Sequence, residues 1–279
     1  MSRTAELLFG TAGIPLRCKG TASAEGIRCV KKLGLGAMEL EFVHGVKMGE
    51  DAAEDCRVAS QEAGVSLSVH APYYINLLSE DKQKLALSRH NVLASCRVLE
   101  KCGGGKVVFH PGYYMKLEKA NTFALMKESF SELRDACKAE GLKKTKLAPE
   151  TTGKHSAFGS LEELLLLAKE TKIGLTIDFA HLHARLNGGL QKRADYAKVL
   201  DAVETSLGKQ ALKELHCHFS GIEFTEKGER RHLPVASNSP PFAPLAQELK
   251  ARKCGGTIIC ESPLNEGDAL ALQRDWLNA

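Results

Sequence analysis

Lys106-Val-Val-Phe-His110-Pro-Gly112 is a short apolar run that stops at an imidazole and a turn. Runs of this kind, flanked by Gly and Pro, read as buried strands. Working outward, the same figure recurs. Ser66–His70 lies before it, and Lys146–Glu150, Gly174–Asp178, Glu214–His218 and Thr257–Glu261 follow. Glu6–Gly10 and Ala37–Glu41 complete a set of eight. Helical periodicity fills much of the space between, over Asp81–Lys101, Asn121–Glu140, Leu161–Glu170, Asp195–Leu207 and Leu245–Arg252. Gly64, Gly103 and Gly141 mark helix ends, where a left-handed residue costs least as glycine. Eight strand–helix units in 279 residues predict an α/β fold, one (β/α)₈ TIM barrel over residues 1–279. The alternative, an open doubly wound sheet, normally carries a GxGxxG turn after its first strand. Gly10-Thr-Ala-Gly13-Ile-Pro15 lacks that spacing.

The bulk numbers exclude little. With 43 % apolar residues the chain has ample core material, and 38 Lys and Arg against 34 Asp and Glu give +4. That excess neither identifies nor excludes a nucleic-acid binder. Nine cysteines without a CxxC pair are expected to be reduced and packed as small hydrophobes, which implies a reducing compartment. The N-terminus shows no signal-peptide run and the chain no apolar stretch of about 18 residues, so the expectation is a cytoplasmic protein, nucleoid-associated if prokaryotic, with no membrane contact. Nothing in the sequence demands more than a monomer.

The chemistry lies at the strand ends. The third to eighth strands close on His70, His110, Glu150, Asp178 (running into His181), His216 and Glu261. A lone His or Glu in such a place is more often a hydrogen-bonded rim residue than a ligand. Six successive ends are different, because a barrel brings them to one mouth and crowded carboxylates repel unless cations neutralise them. Imidazole and carboxylate together suit zinc, with Mn²⁺ or Fe²⁺ as alternatives. Seven candidates exceed the roughly four ligands of one ion and suit two or three. Two cations about 3.5–4 Å apart, sharing a carboxylate, activate water and clamp a phosphoryl group. Glu150 is the natural shared ligand.

His70-Ala-Pro-Tyr73-Tyr-Ile-Asn76-Leu, His110-Pro-Gly112, Asp178-Phe-Ala-His181 and Glu261-Ser-Pro263, in this order and spacing, resemble the endonuclease IV family of apurinic/apyrimidinic-site endonucleases. The likeness runs over nearly the whole chain. It implies a barrel with three metals, usually zinc, that cuts double-stranded DNA 5′ to an abasic site and leaves a 3′-hydroxyl in base excision repair. Through it, His70, His110 and Glu150 resemble the first metal's ligands. Glu150, Asp178, His216 and Glu261 resemble the second's, and His181 one of the third's. Glu150 and Glu261 are the expected catalytic carboxylates.

The family completes the third site from Asp-x-His. Here the stretch is Gly228-Glu229-Arg230-Arg231-His232, so Glu229 and His232 are the candidates and the spacing is one residue too long. His183 and His218 are expected as hydrogen-bond partners or substitutes. Tyr73 is expected at the gap left by the abasic nucleotide. Arg230 and Arg231 are the leading phosphate contacts among rim cations that include Lys47, Lys116, Lys154, Arg185, Lys192, Arg193 and Lys227. The rival reading is a single-metal sugar isomerase or epimerase of the xylose-isomerase-like kind, which needs only Glu150, Asp178, His216 and Glu261. His70, His110 and His181 separate the two. A catalytically dead, damage-binding barrel needs a broken ligand series, and none is visible.

Overall fold

The computed structural model describes residues 6–115 and 117–279. Lys116 and Met1 to Ala5 lie outside them, and with them part of the N-terminal stretch read above. Eight parallel strands form one sheet: β1 (Leu7–Ala12), β2 (Ala37–Glu41), β3 (Ser66–His70), β4 (Gly105–Phe109), β5 (Thr145–Pro149), β6 (Ile177–Asp178), β7 (Leu215–Phe219) and β8 (Gly256–Cys260). Each pairs with its neighbour in sequence, and β8 returns to β1, Leu7 beside Gly256. The ring closes between β5 and β6 through a parallel bridge, Glu150 to Thr176. There Thr176 N–H donates to Pro149 O at 3.0 Å and Thr151 N–H to Thr176 O at 3.1 Å. The predicted barrel is therefore the observed fold. β6 is shorter than the apolar run Gly174–Asp178, because its far side meets β7 only at Ile177 and Asp178.

Helices cover the outside: α1 (Ser23–Lys32), α2 (Glu50–Ala63), α3 (Lys82–Lys101), α4 (Lys119–Ala139), α5 (Leu161–Thr171), α6 (Phe179–Arg185), α7 (Arg193–Leu207), α8 (Phe242–Ala251) and α9 (Glu266–Asn278). Local chemistry sets their ends. Asp81 caps α3 by accepting from the N–H groups of Gln83 and Lys84. Ser160 and Glu163 form a reciprocal capping box on α5, satisfying two N–H groups that the first turn leaves open. α2 stops at Gly64, whose φ of 64° is the conformation glycine reaches without strain. Phe109, Phe130, Phe158, Phe179 and Phe219 are fully buried, and Phe109 stacks on Phe130 at 5.6 Å. No described helix is long and apolar enough to cross a membrane.

Two features at the mouth were not anticipated. An antiparallel hairpin, Gly221–Thr225 with Gly228–Leu233, follows β7. Gly112–Tyr113 pairs with Ala157–Phe158 and ties the loops after β4 and β5 together.

One expectation is corrected. Cys18 and Cys29 form a disulfide, with Cα atoms 6.7 Å apart. The turn at Leu16–Cys18 and the first turns of α1 bring together two residues 11 apart in sequence, a proximity that spacing did not announce. The remaining seven cysteines are free and buried, as small hydrophobes would be. A formed disulfide removes the ground for inferring a reducing compartment.

Candidate metal centre

Parallel strands in register put side chains from successive strands at the same height, and alternate residues face the barrel axis. Glu150, fully buried just past β5, sits at the centre of the result. Its two oxygens serve opposite sides. Oε2 lies 3.2 Å from His70 Nε2 and 3.0 Å from His110 Nε2. Oε1 lies 3.0 Å from His218 Nδ1 and 3.3 Å from His181 Nδ1. Two compact ligand groups share this carboxylate. One is His70, His110 and Glu150; the other is Glu150, Asp178, His218 and Glu261, with ligand atoms in each within 4.8 Å of one another.

The seventh strand departs from expectation. His216 does not join Glu150, Asp178 and Glu261; His218 does, with Nδ1 3.1 Å from Glu261 Oε1. Both imidazoles face inward because they are two residues apart, so alternation alone does not choose between them. Register chooses: His218 is beside Asp178 and His216 beside Thr257. His216 therefore lies one layer deeper, its Nε2 2.9 Å from Glu39 Oε2.

The region around the expected third site is also assembled, by a bulge. Opposite Ile222 stands His232, and opposite Phe224 stands Glu229, with the register slipping at Glu223/Phe224. The slip leaves Arg230 as an extra residue on the outer strand. An extra residue of this kind turns side chains three apart onto one face. Glu229 and His232 thus both point inward. Glu229 Oε2 is 3.1 Å from His181 Nε2, and the His232 ring is 5.2 Å from that of His181. Gly153 makes room for the carboxylate: its N–H donates to Glu229 Oε2 at 3.1 Å, and a Cβ there would meet that oxygen at 2.3 Å.

Other expected contacts have partners of their own. Arg230 and Arg231 both bind Glu223, at 2.6 and 2.7 Å, on the exposed outer face of the hairpin. Arg193 pairs with Glu248, and Arg185 is spent on the carbonyls of Thr152, Lys154 and Ala157. Lys154, exposed and 3.7 Å from Glu229, stands beside the centre. Tyr73 is 62 % exposed at the rim, edge-on to His44 and Tyr74. His183, expected as a hydrogen-bond partner, meets Ser239 Oγ at 3.2 Å.

The sequence reading missed Glu39 and Glu41. Both are inward residues of β2, and a carboxylate inside an apolar strand was the available signal. Burial pushes the Glu41 carboxyl up to about 8, and burial does the same to Asp178, also to about 8. His70 is different. Burial opposes its charge, but the hydrogen bond to Glu150 and nearby carboxylates raise it to about 10. Burial also works against Glu261, yet the charge of His218 holds it at about 2.

Among the described residues, several buried polar atoms without a hydrogen-bond partner gather here: Glu39 Oε1, Glu41 Oε1, Asp178 Oδ2 and His218 Nε2. Such atoms are costly unless something completes them. Carboxylate oxygens facing imidazole nitrogens at this density suit divalent cations, so the donor set fits metal.

The shifts give a testable sign for the metal-free protein. Glu41, Asp178 and His70 all have raised folded values. Their contribution is full below the unfolded values (about 4 for carboxyls and 6.5 for His). It is lost as pH rises through about 8 and then about 10. Glu261, depressed to about 2, contributes above the unfolded carboxyl value and loses that only as pH falls through 2. The metal-free chain should therefore melt at least about 3 °C lower at pH 9 than at pH 6. A melting temperature that is level or rises over that interval contradicts the assignment.

A family model described as the xylose isomerase-like TIM barrel matches residues 27–279. The chain belongs to that family. It is 40 % identical over 274 residues to an uncharacterized protein of Methanocaldococcus jannaschii, covering 98 % of each. It is 28 % identical over 167 residues to the Probable endonuclease 4 of Aster yellows witches'-broom phytoplasma. That match takes in 58 % of this chain and spans little more than half, 55 %, of the relative. Among solved structures, endonuclease IV from Thermus thermophilus superposes with a TM-score of 0.76 at 20 % identity, over 97 % of this chain and 99 % of that one. A D-tagatose 3-epimerase-like protein follows at 0.74 and 17 %, over 97 % of both. Barrels titled endonuclease IV and D-tagatose 3-epimerase-like protein both superpose on this chain, and the fold alone does not separate the two.

Proposed function

We propose that this chain is a divalent-metal-dependent phosphodiesterase of the endonuclease IV type, incising double-stranded DNA 5′ to an abasic site and leaving a 3′-hydroxyl. The observation that carries the reading is the divided Glu150 carboxylate, with His70 and His110 on one oxygen and His218 and His181 on the other. A one-metal epimerase has no need of the first pair.

His70, His110 and Glu150 would hold one cation, and Glu150, Asp178, His218 and Glu261 a second. His181, Glu229 and His232 are the candidates for a third. Bound zinc or manganese supplies positive charge for the oxygens of a phosphoryl group in displacement and acidifies a water. The protein's own work is to bind and orient. Lys154 offers a phosphate contact next to the centre, whereas Arg230 and Arg231 would first have to leave Glu223. Tyr73, exposed at the rim, would fill the gap left by an extruded sugar, and an abasic nucleotide is extruded cheaply because it stacks poorly.

The test is a duplex with one abasic site, incubated with the chain and zinc or manganese. A single nick on the 5′ side, abolished by chelator and weakening steeply with salt, is the expected result. One cation per chain, epimerisation of a ketose and no nick would replace this reading with the sugar-epimerase one. Glu150, Asp178, His218 and Glu261 suffice for that chemistry.

A further inference from the structure

Beneath the ligand groups lies a second polar layer. Glu39, midway along β2, is completely buried and faces the barrel axis. Its Oε2 accepts from Ser68 Oγ at 2.7 Å and lies 2.9 Å from His216 Nε2. The other nitrogen of His216 is 2.5 Å from Thr257 Oγ1. The Oε1 of Glu39 faces His218 Nε2 at 2.9 Å as an ion-pair contact, and neither of those two atoms has a hydrogen-bond partner. His218 thus spans two layers, with Nε2 toward Glu39 below and Nδ1 toward Glu150 and Glu261 above.

We propose that Glu39 is a positioning residue. The charge of its Oε1, 2.9 Å away, holds the His218 proton on Nε2 and so leaves the Nδ1 lone pair free for a cation in the group above. Ring nitrogens divide their work in this way: a carboxylate facing one fixes the tautomer and basicity of the other. Ser68 and His216 hold the carboxylate from turning. A competing possibility is that Glu39, His216 and His218 bind a cation themselves. Their ligand atoms do lie within 4.8 Å of one another, but three are fewer than the about four that a cation takes, and Ser68 Oγ already donates to Glu39 Oε2; the metal stoichiometry separates the two.

The proposal rests on the metal reading above, and its test separates the two. Full-length protein is stripped with chelator, and zinc is titrated against a competing indicator for wild type, Glu39→Gln and Glu39→Ala. Glu39→Gln keeps shape and removes charge; it should weaken zinc about tenfold, and Glu39→Ala about a hundredfold. Stoichiometry at saturation should not change. With cobalt(II) as probe, the visible absorption of Glu39→Gln should shift, which a merely structural role would not produce. Melting of the stripped Glu39→Gln protein checks that it folds. Wild-type zinc affinity in folded Glu39→Gln overturns the proposal. So does loss of one whole equivalent with the rest unaffected, since Glu39 would then be a ligand. A wild type that binds no divalent metal overturns the metal reading itself, and this inference with it.

Discussion

Glu150→Gln should lower incision at an abasic site by about a thousandfold or more, corresponding to about 4 kcal/mol of transition-state stabilisation. The substitution changes almost no volume. It removes one negative charge from a fully buried position and turns one of two acceptor oxygens into a donor. Four imidazole nitrogens lie within 3.3 Å of that carboxylate, so an amide group would confront one pair of them with N–H groups. Both ligand groups lose a member at once, because Glu150 belongs to each. Zinc per chain, measured by elemental analysis after dialysis, should fall with the rate. Near-normal incision by Glu150→Gln would defeat the shared-carboxylate reading, and full metal content with a lost rate would confine Glu150 to a role after binding.

The second large effect separates two neighbouring histidines. His218→Gln should cost about a thousandfold in incision and weaken zinc, whereas His216→Gln should cost no more than about tenfold. Glutamine places a polar atom near the Nε2 position of an imidazole and nothing at Nδ1. In His218 the nitrogen facing Glu150 and Glu261 is Nδ1, so the substitution keeps the contact to Glu39 and deletes the contact that matters. In His216 the nitrogen facing Glu39 is Nε2, which glutamine imitates. The reverse ranking would restore His216 as the ligand and would mean that the seventh strand slides by two residues when metal binds.

The barrel was legible in the sequence because its apolar runs are short, regularly spaced and separated by helical periodicity. Most of the centre was legible too. His70, His110, Glu150, Asp178 and Glu261 stand at or just past strand ends, and strand ends converge. What stayed hidden has a common cause. Glu39 lies within β2 and Glu41 ends it, in an apolar segment where a carboxylate reads as a surface residue. The choice between His216 and His218 depends on how far β7 is pushed through the barrel, which pairing with β6 and β8 decides. The partners of Arg185, Arg230 and Arg231 are set by tertiary contacts, so a count of rim cations overstated the free charge. Cys18 and Cys29 meet through a turn whose geometry no spacing rule contains.

The bulge at Arg230 has a consequence for how such chains are found. A one-residue insertion between two candidate liganding positions is absorbed on the solvent side of a ribbon, and the two side chains still arrive together. Distance counted along a polypeptide is then a poor proxy for distance in space. A pattern search that insists on fixed spacing would discard this chain at the very loop where Glu229 and His232 come together beside His181.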